Sequence, residues 1–474
     1  MLWNYFDDIC KVPRPSKKEE KIRQFLVDFA KGNNLDIKTD KTGNVLISKP
    51  AGRGREGAPT VILQTHMDMV CEKNSDKIFD FDNDAIEPYI DGEWVKANGT
   101  TLGADCGIGM AAQMAVLTSS EIKHGPVECL FTVDEETGLT GAFALEPGFM
   151  TGKILLNLDS EDEGEIFIGC AGGIDTLGTL KYNPQPAPSG AFALKISVSG
   201  LQGGHSGDDI HKGRGNAIKI LNRFLWASSK KYDMDIAGFN GGNLRNAIAR
   251  EAFAVVMVPH SQKENFVADF NVFVSEMEFE YEKTEPDIHL TVISQNNPRS
   301  VICREGRDNL LNLLYACPHG ALEWSSRMPG MVETSTNLAS VKFQGENEIL
   351  ITTSQRSEIE SRKYYAAQMV ESALNLAGAE VIHSDGYPGW APNPNSEVLK
   401  ITVDSYKKLF GDAPVVRSVH AGLECGLFLE KYPGLDMVSF GPTIKGAHSP
   451  DERLEIETVD KFWKHLVDVL ENIK

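Results

Sequence analysis

His66, Asp105, Glu135, Glu136, Asp159 and His448 fall in five short motifs: HMDM, GADCG, DEETG, NLDSED and AHSPDERL. Two imidazoles and the carboxylates of Asp105, Glu136 and Asp159 supply enough nitrogen and oxygen donors for two zinc ions sharing one bridging carboxylate. Glu135 is then left over to act as a base. That is the inventory of a two-metal hydrolase of amide bonds.

The spacing supports this more than the residue types do. VILQTHMDMV reads as a buried strand ending in polar residues, and His66 and Asp68, two apart, share a face of an extended strand end. Asp68 can then bond the imidazole and fix its tautomer. In TLGADCGIGMAAQMAVL, Asp105 lies in a Gly-rich turn that opens a helix, where sites sit in open α/β sheets. VECLFTVDEETG runs an apolar strand into Asp134, Glu135 and Glu136. Adjacent carboxylates there repel each other and lose solvation unless a cation is present. Successive residues point in different directions, so one can bind a metal while the other faces the attacking water. ILLNL ends at Asp159, and MVSF leads into the loop that carries His448.

Each motif alone has an ordinary explanation: a surface His-Asp pair, an N-capping Asp, an acidic loop, a lone loop His. Together, at the ends of apolar strands, they argue for a site. The acidic run 161–165 reads as solvated turn, and Cys106 as a small packing residue.

The elements that position these residues are also readable. Ser16 with Glu19 three residues on forms a capping-box pattern. Ile22, Phe25, Leu26 and Phe29 then make one helix face that ends at Gly32. Strands follow near 35–39, 44–48 and 60–64, and 72–98 reads as an insertion loop or hairpin. Strand and helix alternate to about residue 160, which argues for an α/β layered domain. Pro-, Ser- and Gly-rich stretches at 182–190 and 385–396 read as domain crossings. They divide the chain into a discontinuous domain, 1–184 with 386–474, and an inserted domain, 185–385. Helical stretches near 213–229, 261–278, 305–317 and 360–377 suit two ferredoxin-like α/β units in tandem within the insertion.

Composition narrows the function. At 474 residues a single core is not expected. The net charge of −20 disfavours a nucleic-acid partner. No apolar run reaches about 18 residues, so no membrane span is expected. The first residues, MLWNYFDDIC, do not read as a signal peptide. Eight cysteines without framework spacing suit reduced thiols in a cytoplasm.

The five motifs, in this order, resemble the zinc-dependent exopeptidases of the aminoacylase and carboxypeptidase superfamily. LWNYFDDICKVPRPS, DGEWVKANGTTLGADCGIGMA, DSEDEGEIFIGCAGGID, GLQGGHSGDDIHKGRGNAIK and VHAGLECGLF resemble, more narrowly, the aminoacyl-histidine dipeptidase family, from about residue 2 to the C-terminus. The resemblance implies a three-layer α/β catalytic domain with an inserted α+β lid. It implies His66 and Asp159 on one zinc, Glu136 and His448 on the other, and Asp105 on both, with manganese or cobalt as alternative metals.

Glu135 would be the base and Asp68 the residue that orients His66. His205, in GLQGGHSGDD, would be a lid histidine that stabilises the oxyanion, from the same chain or from the partner of a homodimer formed through the lid. Asn246 and Arg356 would hold the substrate's carboxylate, an arginine through two hydrogen bonds. The implied substrate is an unblocked dipeptide, with Xaa-His and β-alanyl-histidine favoured. A deacylase of N-acyl amino acids or a tripeptidase is the alternative on the same scaffold. His420 and Glu424 could line the cleft, or His420 could compete with His448 as a ligand. The AHSPDE context favours His448.

Overall fold

The computed structural model describes residues 1–345 and 347–474. The chain forms two compact units. One comprises Met1–Cys170, Trp390–Ser418 and Leu423–Lys474; the other comprises Ala171–Gly389 and Val419–Gly422.

The first unit is built on an eight-stranded sheet. Its strand order is Asp36–Thr39, Val45–Lys49, Val127–Thr132, Val61–His66, Ile154–Asn157, Asp436–Ser439, Glu165–Cys170 and Val415–Val419. The four central strands pair in parallel. Val61–His66 and Val127–Thr132 are buried at every position. Cover on both faces is why these strands are mostly apolar. The helix Ala104–Thr118 is buried along nearly its whole length. It packs so closely on Val61–His66 that a Cβ on Gly109 would lie 2.7 Å from Thr65 Cγ2.

One local expectation changes. Ser16 caps no helix: its hydroxyl donates to Asp68 Oδ2 at 2.8 Å, and the helix begins at Glu20. Glu19 holds the N-cap position, so Ser16 lies outside the helix's first turn. Part of the stretch 72–98 is a hairpin, Pro88–Asp91 with Trp94–Ala97. It is extended by Arg453–Glu455 and Ile444–Lys445 into a four-stranded sheet.

The second unit carries a nine-stranded sheet. Ala191–Ser199, helix Ala217–Lys231, Asp235–Gly241, Ala252–Pro259, helix Lys263–Glu280 and His289–Gln295 form one βαββαβ set, in spatial order fourth, first, third, second. Gly172–Lys181, helix Arg304–Ala316, Val332–Gln344, Glu348–Ser357, helix Glu360–Leu376 and Glu380–His383 form another with the same order. They join edge to edge where Asn240–Gly241 pairs with Val341–Lys342. The two ferredoxin-like sets are therefore nested rather than in tandem, because the first lies between the opening strand and opening helix of the other.

That opening strand, Gly172–Lys181, pairs throughout with Glu348–Ser357. The chain thus changes unit at 170/171, not at 184/185, and returns at 389/390. Within the Pro-rich stretch 182–190 lies a short strand, Pro184–Pro186, on the edge of a two-stranded pair, where proline is tolerated. Among the described residues no helix is long and apolar enough to cross a membrane.

Candidate active site

The parallel strands of the first unit deliver the expected residues to one place. His66 ends its strand; Glu135 and Glu136 follow Thr132, and Asp159 follows Asn157 by two residues. Asp105 opens the helix Ala104–Thr118 with non-helical backbone angles. Its Oδ1 lies 3.0 Å from His66 Nε2, and its Oδ2 lies 3.1 Å from His448 Nε2. Asp159 Oδ1 is 3.3 Å from His66 Nε2, and Glu136 Oε2 is 3.0 Å from His448 Nε2. One carboxylate thus spans two imidazole–carboxylate pairs. Ligand-type atoms of His66, Glu135 and Glu136 also lie within 4.8 Å of one another. Among the described residues these groupings contain His448 and not His420.

Asp68 is fully buried, with Oδ1 3.3 Å from His66 Nδ1. It also accepts the backbone N–H groups of Glu135 and Glu136 at 3.1 and 3.3 Å, besides the Ser16 hydroxyl. One side chain therefore lies against the imidazole and fixes the acidic turn.

Two positioning groups were not picked out from the sequence. Arg14 is buried and donates to the carbonyls of Met67, Asp68 and Gly103, tying the His66 strand end to the Asp105 turn. Glu452 accepts the backbone N–H groups of Leu102, Gly103, Ala104 and Asp105 at 2.7–3.3 Å. Arg14 sits between two prolines and Glu452 inside AHSPDERL, but neither spacing says which backbone each will meet. Glu452→Ala strands four backbone donors, three of them buried. It is expected to lower the unfolding free energy by about 3 kcal/mol or more. Urea denaturation would measure this, and wild-type stability would contradict it.

The electrostatics describe a site short of positive charge. Among the described residues, the ion pairs of Asp68, Asp105, Glu136 and Asp159 go only to His66 and His448. Burial pushes the Asp105 carboxyl up, but hydrogen bonds from His448 and His66 outweigh it and hold the group low. Burial pushes Glu135 well above the carboxylate range, and raises Asp159. Burial would lower His66, yet Asp159, Asp105 and Asp68 hold it well above the usual value. Hydrogen bonds to Asp105 and Glu136 raise His448 to about 11.

The run 161–165, expected to be solvated, is half-buried. Burial pushes Glu161 up to about 8, with Asp105 and His448 close enough for their charges to act on it. Cys106 packs as expected, its thiol donating to the Leu158 carbonyl at 3.4 Å.

These residues fit a pair of divalent cations. Glu136 Oε1 and Asp159 Oδ1 are buried without a hydrogen-bond partner. The imidazole nitrogens facing Asp105 already lie within 3.0–3.3 Å of carboxylate oxygens. Nitrogen and oxygen donors in this mix suit zinc, manganese or cobalt.

The other expected residues lie in the second unit. His205 sits in a Gly-rich loop where a Cβ on Gly207 would run into the His420 carbonyl oxygen. Its Nδ1 accepts the backbone N–H groups of Gly207 and Asp208 at 3.3 and 3.2 Å. Asn246 is exposed, and its carbonyl accepts the Ser206 N–H at 2.8 Å. A cleft of about 960 Å³ is lined by Gly204, His205, Asn246 and Lys342 among others. Arg356 is buried, bonded to Ser206 Oγ at 3.3 Å and Tyr387 Oη at 2.9 Å. His420 is buried with Nε2 2.8 Å from Ser335 Oγ, and burial pushes it down to about 3. In the first unit, Glu424 is buried and burial pushes its carboxyl up to about 8.

Comparison with known proteins gives the family. Residues 62–472 match the family described as Peptidase family M20/M25/M40. The chain is 44% identical over 472 residues to the cytosol non-specific dipeptidase of Escherichia coli (strain K12), covering 100% of this chain and 97% of that protein. It is 47% identical to the solved aminoacylhistidine dipeptidase of Vibrio alginolyticus, with a TM-score of 0.94 over 100% of this chain and 96% of the other. A tripeptidase from Staphylococcus aureus, 17% identical, has a TM-score of 0.58 over 100% of this chain and 97% of its own, and speaks to the fold alone. Full-length relatives and a family match that spans every expected ligand lead to one assignment: the chain belongs to peptidase family M20/M25/M40, hydrolases acting on peptide bonds.

Proposed function

We propose that this chain is a metal-dependent dipeptidase that cleaves unblocked dipeptides, Xaa-His and β-alanyl-histidine among them. The observation that carries the reading is Asp105, one carboxylate reaching both imidazole–carboxylate pairs, with Glu135 beside them. His66 and Asp159 would hold one zinc ion, Glu136 and His448 a second, and Asp105 both. When bound, such a pair supplies Lewis acidity, acidifying water and polarising a carbonyl. Glu135 takes the proton of the attacking water and passes it to the leaving amine. Asp68 keeps His66 oriented. His205 donates to the carbonyl oxygen as negative charge develops. Asn246 and Arg356 receive the substrate's free carboxylate, the arginine through paired hydrogen bonds.

The names of the full-length relatives support dipeptides over acylated amino acids. We further infer a cytoplasmic enzyme, as the name of the Escherichia coli relative has it. We also infer a homodimer formed through the second unit.

A panel of Xaa-His and other dipeptides, a tripeptide and an N-acetyl amino acid tests the reading. The dipeptides are expected to turn over, chelator to abolish activity, and two equivalents of zinc to restore it. Preference for the tripeptide or the N-acetyl substrate would overturn the dipeptidase assignment, and full activity in chelator would overturn the metal dependence.

A further inference from the structure

Glu424 opens the helix Glu424–Lys431 and is buried in the first unit. Its Oε2 accepts from Gln64 Nε2 at 2.6 Å and from Thr132 Oγ1 at 2.8 Å. These partners lie on adjacent parallel strands. Gln64 precedes His66 by two residues and Thr132 precedes Glu135 by three. Gln64 Oε1 accepts from Asn157 Nδ2 at 2.5 Å, and Asn157 Oδ1 accepts from the Asp159 N–H at 3.3 Å and from the Ser439 hydroxyl. One carboxyl thus ties together the three strands that carry His66, Glu135 and Asp159.

We propose that Glu424 is a positioning residue for the hydrolysis: by holding Gln64 and Thr132 it sets the offset between the strand ends that present His66, Asp159 and Glu135. It acts through those strands. Gln64 Nε2 and Thr132 Oγ1 are already 3.4 Å apart. Without the shared acceptor, Gln64 Nε2 keeps only the Thr132 hydroxyl at 3.4 Å, and that hydroxyl keeps only the Thr65 carbonyl at 3.3 Å. Buried donors do not stay unpaired without cost, and a displacement of about 1 Å at a reacting centre can cost about 10²-fold in rate. The kinetic consequence rests on the dipeptidase reading; the metal-binding consequence does not.

The test compares Glu424→Gln with Glu424→Leu. Both partners donate to one oxygen, which the amide oxygen of Gln reproduces, whereas Leu offers no acceptor. Glu424→Gln is expected to keep kcat and zinc affinity within about 3-fold of wild type. Glu424→Leu is expected to lose about 10- to 100-fold in kcat, with KM changed less than about 3-fold, and to bind zinc about 10-fold more weakly in a chelator-competition titration. If the Leu variant does not fold, Thr132→Val removes one donor alone and is expected to cost about 5-fold in both measures.

Wild-type kcat and zinc affinity in Glu424→Leu, or in Thr132→Val where that variant stands in, would reduce Glu424 to packing. A Gln variant as impaired as the Leu variant would show that charge, not the shared acceptor, matters. If the wild-type chain hydrolyses no dipeptide, the functional reading fails, while the zinc affinities of the variants still decide the positioning role.

Discussion

Glu135→Gln is expected to leave two zinc ions bound and to lower kcat by about 10²-fold or more, since removing a general base forfeits that much. The substitution keeps size and shape. The backbone N–H of Glu135 donates to Asp68 Oδ1 at 3.1 Å, so the main chain holds the turn whatever the side chain carries. Among the described residues the Glu135 carboxylate makes no ion pair, which leaves it free to take a proton. Asp68 cannot stand in as the base. It is fully buried and committed to Ser16, to two backbone N–H groups and to His66. Turnover on a dipeptide and metal content by mass spectrometry decide the matter together. Near-normal turnover with two metals bound would place the base elsewhere. Loss of metal would make Glu135 a ligand.

The chemistry of the first unit was legible because parallel strands expose their plan in sequence. An apolar run buried on both faces must end in polar residues at the sheet edge, and His66, Glu135 and Asp159 stand at such ends. What was not legible is what reaches across. Ser16, placed at a helix start by its spacing to Glu19, is claimed instead by Asp68. Arg14, Glu452 and Glu424 act on groups more than fifty residues away, and no local period encodes such partners. In the second unit, strand and helix lengths suggested two ferredoxin-like sets. Their nesting was hidden because Gly172–Lys181 is separated from its partner Glu348–Ser357 by a whole set. The Pro-rich stretch at 182–190 carried the signal of a crossing but marks a turn and an edge strand inside the unit.

His205→Ala is expected to retain both zinc ions and lose about 10²- to 10³-fold in kcat, the usual range for removing one oxyanion donor. The argument starts from the loop. Two backbone N–H groups, of Gly207 and Asp208, lie 3.3 and 3.2 Å from Nδ1, and the Asp208 carboxylate is 3.5 Å from it, so that nitrogen is anchored to its own loop and Nε2 is the one left to meet a substrate. A ring anchored to its loop through one nitrogen presents the other in one direction before substrate arrives. That is what stabilisation of a developing oxyanion needs.

If the loop serves the partner's site in a homodimer, inactive chains should complement each other. A heterodimer of a His205→Ala chain and a Glu135→Gln chain has one site with both groups intact: Glu135 from the first chain and His205 from the second. Random exchange makes half the dimers mixed, each with one complete site, so the mixture should recover about a quarter of wild-type activity. Native mass spectrometry would establish that heterodimers formed. No recovery in their presence would mean that His205 serves its own chain, whereas zinc loss in His205→Ala would make it a ligand rather than a donor to the substrate.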